Sequence, residues 1–186
     1  EVREGIVKHS SAFDRVAKVK EFPLKGSPSL ETQIVDIADE IAYDNHDLDD
    51  GLTSGLIKES DLENLAIWNN INRNITKTYA KIDTDMKKYL VIRSLIDLQV
   101  TDLIQQTERN LNRLKVKNYL DVKKLNTKIV SFSKEILKLR RPLRDFLMEK
   151  LYYHYRVVRM SIKAKRFIEE LFKVYVANPA QLPSET

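Results

Sequence analysis

The sequence has no cysteine. That excludes disulfides, zinc–thiolate sites and thiol nucleophiles, and it fits a reducing, cytoplasmic setting. Glycine and proline are scarce, 4 and 5 among 186 residues, which favours long helices over sheets joined by tight hairpins. No apolar run approaches the roughly 18–20 residues needed to cross a bilayer, so no membrane partner is expected. The N-terminus carries no signal-peptide pattern. The three histidines, His9, His46 and His154, are scattered. There is no His-Glu-x-x-His helix, no phosphate loop, no Gly-x-Gly-x-x-Gly turn and no Gly-x-Ser-x-Gly elbow. Zincin, P-loop, dinucleotide-fold and α/β-hydrolase chemistry are therefore not encoded here.

The residues that are present read as a folded, all-α chain. The composition is 42% hydrophobic and 32% charged, too apolar for disorder. Val2, Ile6, Val7 and Phe13 suggest a short first helix, and residues 22–29 a loop whose Ser27-Pro28 pair opens the next helix. From there to about Leu48, Leu30, Ile34, Ile37, Ile41 and Leu48 gather on one face, with Asp36, Asp39, Glu40, Tyr43 and Asp47 opposite. Ser60-Asp-Leu-Glu63 has the pattern of a capping box, predicting a helix towards Tyr79. A third helix runs from Asp83-Thr84 to about Leu114, apolar nearly all round in its middle and therefore central. Ile129–Phe132 suggests a short extended piece. Ser133 caps a fourth helix containing Pro142, which would kink it. A fifth spans about Arg156 to Val176.

Charge is divided unevenly along the chain. Residues 1–104 hold 13 Lys/Arg against 19 Asp/Glu, whereas residues 105–175 hold 19 against 7. A basic half of this kind is either a set of solvated helix faces or an attractor for triphosphate, a nucleotide effector or single-stranded nucleic acid. Lys123, Lys124, Lys128, Lys138, Arg140, Arg141, Arg144, Arg156, Arg159, Lys163, Lys165 and Arg166 are its candidates. Tyr152, Tyr153 and Tyr155 read as core or subunit contacts.

The acidic helix is the most informative segment. Asp39, Tyr43 and Asp47 succeed one another at i, i+4 and so rise along one side. Carboxylates so placed either form an ordinary solvated face or hold a hard divalent cation, with the tyrosine between them able to pack a sugar or base. Crowding Asp36, Asp39, Glu40, Asp44, Asp47, Asp49 and Asp50 into fifteen residues creates repulsion that a cation or a basic partner would relieve.

The segment Ser29–Leu52, with Ala38-Asp-Glu-Ile-Ala-Tyr43 and His46-Asp47 inside it, closely resembles a stretch of bacterial dGTP triphosphohydrolase-like proteins of the HD-domain family. That stretch reads roughly Leu-Glu-x-Gln-Val-Val-x-x-Ala-Asp-Glu-Ile-Ala-Tyr-x-x-His-Asp-x-x-Asp-Gly. Glu1–Ser10, Val91–Leu103 and Leu143–Tyr152 resemble neighbouring parts of the same family. The resemblance implies an HD-domain-like helical bundle in which Asp39 is the final metal ligand. It also implies that Tyr43 packs on the deoxyribose and that Asp47 accepts from the 3′-hydroxyl. The implied reaction is metal-dependent hydrolysis of a deoxynucleoside triphosphate to deoxynucleoside and tripolyphosphate, with Mg²⁺ or Mn²⁺ as cofactor and a homo-oligomer as the assembly. His9 and Arg93 are implied pocket neighbours.

The family's own His-Asp dyad lies upstream of this stretch. His46-Asp47 is not expected to replace it, because adjacent helical residues point about 100° apart. The chain is thus expected to be the incomplete, C-terminal part of such an enzyme and to be inactive alone. Residues 1–57 would be the end of the catalytic core and residues 58–186 a helical C-terminal region, basic from about residue 105. The other reading is a catalytically silent helical module that binds nucleic acid or protein.

Overall fold

The computed structural model describes residues 2–9, 26–79 and 81–183. Within them the chain forms seven α-helices and no strand: α1 Val2–Lys8, α2 Leu30–Thr53, α3 Ala66–Thr78, α4 Thr84–Leu114, α5 Tyr119–Lys124, α6 Lys134–Leu147 and α7 Tyr155–Ala177. The described residues are all-α, as the scarcity of glycine and proline implies. Phe13 and residues 22–25 lie outside the described residues.

Helix boundaries reflect local chemistry. Ser29 rather than Ser27 caps α2, its hydroxyl accepting from the Thr32 N–H at 3.3 Å. Ser27 instead donates to the Thr127 carbonyl. Asp83 caps α4 through the Met86 N–H at 3.0 Å, and Ser133 caps α6 through the Ile136 N–H at 3.2 Å. These are the caps expected where a helix's first N–H groups lack intrahelical partners. The Ser60 segment behaves differently. Glu59–Leu62 is a single 3₁₀ turn closed by Asp61 accepting from the Lys58 N–H, and α3 begins only at Ala66. Pro142 sits inside α6 without ending it.

The core has two parts. The larger one packs Leu48, Ile57, Leu62, Trp68, Val91, Leu95, Leu143, Leu147 and Leu151 together, so α2, α3, α4 and α6 meet there. A smaller one joins Ile41 and Leu103 to Val130, Phe132 and Ile136. Truncating a fully buried leucine such as Leu95 would cost about 2–5 kcal/mol by the usual transfer-plus-cavity reckoning. The middle of α4 is central as expected, but Val100 and Ile104 further along are exposed.

Residues 125–133 form no strand. Buried amides hold this irregular segment instead. Gln33 Oε1 accepts from Ile129 N–H at 2.7 Å and Val130 N–H at 3.2 Å, while its Nε2 donates to the Pro28 carbonyl. Asn110 Nδ2 donates to the Ile129 carbonyl at 2.8 Å. Backbone groups that a sheet would have paired are satisfied by side chains from α2 and α4. α1 is tied down by charge, with Glu4 reached by both Lys8 and Lys123. The Lys123 hydrogen bond, then that of Lys8, holds the Glu4 carboxyl below its ordinary pKa.

α7 stands apart. It comes after a π turn at Met148–Tyr152 and has no buried residue over its 23 positions. Its Phe167, Ile168, Leu171, Phe172 and Tyr175 are all exposed.

Candidate functional site

The two faces of α2 differ from the simple apolar-versus-acidic division. Ile34 and Val35, of which Ile34 belongs to the expected inner face, are exposed, whereas Asp36, Asp44, Gln33 and Asn45 are buried. The reason is the neighbour on that side. α6 and the segment before it present cations, so the acidic residues facing them are desolvated as ion pairs.

Arg140 Nη2 lies 2.6 Å from Asp44 Oδ2, and Arg144 Nη1 lies 3.3 Å from Glu40 Oε2. Lys128 Nζ is 3.3 Å from Asp36 Oδ2. Asp36 is only 1% exposed and also accepts from His9 Nδ1 at 2.7 Å. Lys123, Lys128, Arg140 and Arg144 are therefore internal partners. The last three pair with carboxylates of α2. The charges of α7, including Arg156, Arg159, Lys163, Lys165 and Arg166, lie on exposed positions.

Once these pairs are made, the acidic ladder separates into two rows. Asp36, Glu40 and Asp44 face the cations. Of the other row, Tyr43 is exposed, with 44% of its surface open, and Asp39 and Asp47 are partly buried. Asp39 Oδ2 is 4.0 Å from His9 Nε2. A buried carboxylate can only accept, so the His9–Asp36 contact puts the imidazole proton on Nδ1 and leaves the Nε2 lone pair towards Asp39 when the ring is neutral. His9 thus joins the Asp39 end of the helix. Arg93 is exposed and does not share in the His9–Asp39 contact.

Asp47 has a different environment. The Tyr152 hydroxyl donates to its Oδ2. Burial, then the like charges of Asp50 and Asp44, raises its carboxyl above the ordinary aspartate pKa, and His46 partly offsets them. Nothing in the sequence marks the Tyr152–Asp47 contact, because 105 residues separate the two.

The donor chemistry suits a hard divalent cation, since Asp39 offers an accessible carboxylate oxygen beside an oriented imidazole. Among the described residues no group of three or more His, Asp or Glu converges to complete such a site. No described helix is long and apolar enough to cross a membrane.

An all-α chain with an acidic helix and a basic C-terminal helix is consistent with its relationships to known proteins. Residues 130–186 match the model of the phosphohydrolase-associated domain. Over nearly all of its length, the chain is similar to proteins named deoxyguanosinetriphosphate triphosphohydrolase-like protein. The one from Geobacter metallireducens is 42% identical over 184 residues, covering 98% of this chain and 48% of that protein. That from Azoarcus sp. is 37% identical over 188 residues, covering 100% and 49%. That from Neorickettsia sennetsu is 32% identical over 192 residues, covering 100% and 50%. The chain spans about half the length of the curated relatives it matches.

Proposed function

We propose that this chain is part of a metal-dependent deoxynucleoside triphosphate triphosphohydrolase. Asp39 is one metal ligand, Tyr43 packs its ring on the deoxyribose, and Asp47 accepts from the 3′-hydroxyl. The observation that carries this reading is the sorting of α2. Asp36, Glu40 and Asp44 are paired with cations from α6 and the segment before it, while Tyr43 is exposed and Asp39 and Asp47, one turn to either side, are partly exposed. The names of the relatives support the same activity.

Mg²⁺ or Mn²⁺ at Asp39 would supply a polarised water and neutralise charge at the α-phosphate. The protein's own contribution is positional. Ion pairs to α6 fix the rotation of α2 about its axis, and with it the direction in which Asp39, Tyr43 and Asp47 point. Such orientation lowers the entropy lost on reaching the transition state. The remaining ligands are supplied by the other half of the full-length protein, so residues 1–57 form one edge of the catalytic site and this chain alone turns over no substrate. The exposed apolar stripe of α7 supports a subunit contact in a homo-oligomer. Its exposed basic positions are the remaining candidates for a nucleotide effector or single-stranded nucleic acid.

The test is tripolyphosphate release from dGTP by the full-length protein with Mg²⁺ or Mn²⁺, compared with its Asp39→Ala variant. Activity in the parent and none in the variant is the expected result. A parent inactive on every deoxynucleoside triphosphate would instead favour a catalytically silent helical module that binds nucleic acid or protein.

A further inference from the structure

Asp47 is reached from the opposite end of the chain by a side chain that a local change of helix type presents to it. α6 does not run straight into α7. Met148–Tyr152 form a π turn, which carries an extra residue and so rotates the chain beyond it by about one residue's angle, near 100°. Leu151 is buried in the larger core, and Tyr152 packs half-buried against the same cluster. The turn closes at once, with the Tyr153 N–H bonded to the Met148 carbonyl at 3.0 Å and the His154 N–H to the Leu151 carbonyl at 3.1 Å. The Tyr152 ring is therefore held between the core and a closed turn, and its hydroxyl donates to Asp47 Oδ2.

An aspartate carboxylate rotates easily about its last torsion, whose energy profile is broad and two-fold. A hydroxyl bound to one oxygen removes that freedom and leaves the other oxygen with its lone pairs at a defined place. We propose that Tyr152 is a positioning residue for the sugar end of the substrate. It holds Asp47 by Oδ2 so that Oδ1 accepts the nucleotide's 3′-hydroxyl proton. This rests on the reading of Asp47 given above. A site that hydrogen-bonds a substrate hydroxyl rejects the analogue lacking it, because its own acceptor is then left unpaired.

The experiment compares dGTP with 2′,3′-dideoxy-GTP as substrates for the full-length protein, for Tyr152→Phe and for Asp47→Asn. Tyr152→Phe removes one oxygen and keeps the ring, and matching thermal melts verify that the core is intact. Tyr152→Phe is expected to lower kcat/KM for dGTP about tenfold, the size of one lost hydrogen bond, mainly through KM. It should leave kcat/KM for the dideoxy substrate unchanged, so the ratio between the two substrates shrinks. An equal loss on both substrates, or no loss on either, overturns the positioning role. Asp47→Asn separates the two ideas. If Asp47→Asn narrows the ratio and Tyr152→Phe does not, the proposal for Tyr152 fails alone. If neither variant narrows it, the assignment of Asp47 to the sugar has failed as well.

Discussion

Arg140 and Asp44, 96 residues apart in sequence, form a buried ion pair with Nη2 2.6 Å from Oδ2. The guanidinium also lies 4.2 Å from the centre of the Phe132 ring. The pair joins α6 to α2. Removing Asp44 leaves the buried guanidinium with only the longer contact from its Nη1 to Glu40 Oε2, 3.8 Å, so Asp44→Ala should destabilise the chain by up to about 3–5 kcal/mol. The double variant Asp44→Leu/Arg140→Met removes both charges and should recover most of that loss. Urea midpoints of the two variants decide it, and a double variant no better than the single one would contradict the pairing argument.

Gln33 performs a task normally left to a strand partner. Its Oε1 accepts from two successive backbone N–H groups, those of Ile129 and Val130. Gln33→Leu keeps the volume and abandons both donors, each of which costs about 1–3 kcal/mol when buried and unpaired. Amide exchange at Ile129 and Val130 should accelerate more than at Leu95 in α4. Uniform acceleration across the chain would mean that the side chain supports the fold generally and not this segment.

Asp47 gives a pH signature of definite sign. Burial, then Asp50 and Asp44, raises its folded-state pKa above the ordinary aspartate value. The folded state therefore holds the proton more tightly than the unfolded state. The stabilising contribution is fully present below the unfolded pKa and is lost as pH rises through the folded one. Asp47→Asn cannot ionise, so its stability relative to wild type should climb over that interval and level off above it. The measurement is the difference in urea midpoint between variant and wild type at a series of pH values. A flat difference would remove the case for a penalised carboxylate at this position.

α7 should govern association. Its apolar stripe is exposed along the whole helix, and an amphipathic helix of this length ordinarily buries such a face. Phe167→Glu/Leu171→Glu should reduce concentration-dependent self-association in sedimentation velocity. Because neither side chain is buried, unfolding stability should move by no more than about 0.5 kcal/mol for each substitution. Unchanged association would assign the stripe to an intramolecular contact with the rest of the full-length protein.

The helices themselves are legible in the sequence because their signals are local. α4 begins and ends where Asp83 and Leu114 suggest, and α7 closes just before Asn178-Pro179. The i, i+4 relation of Asp39, Tyr43 and Asp47 is a property of any helix and needs no fold to see. The burial of α2 is not legible in the same way. A wheel drawn from hydrophobicity puts Ile34 inside and Asp36 outside, and the structure reverses both. The uneven charge of the two halves is the one clue, and by itself it points equally well to an external binding surface.

Sequence alone determined the all-α class, the main helical segments and the single row on which Asp39, Tyr43 and Asp47 stand, because each depends on interactions within a few residues. Tertiary structure decided which carboxylates of α2 remain accessible. A carboxylate can be buried only where a cation from elsewhere compensates its lost hydration, and Lys128, Arg140 and Arg144 come from about 90 to 105 residues away. The same long-range assembly put the Tyr152 hydroxyl on Asp47, through a π turn whose position no local periodicity announces.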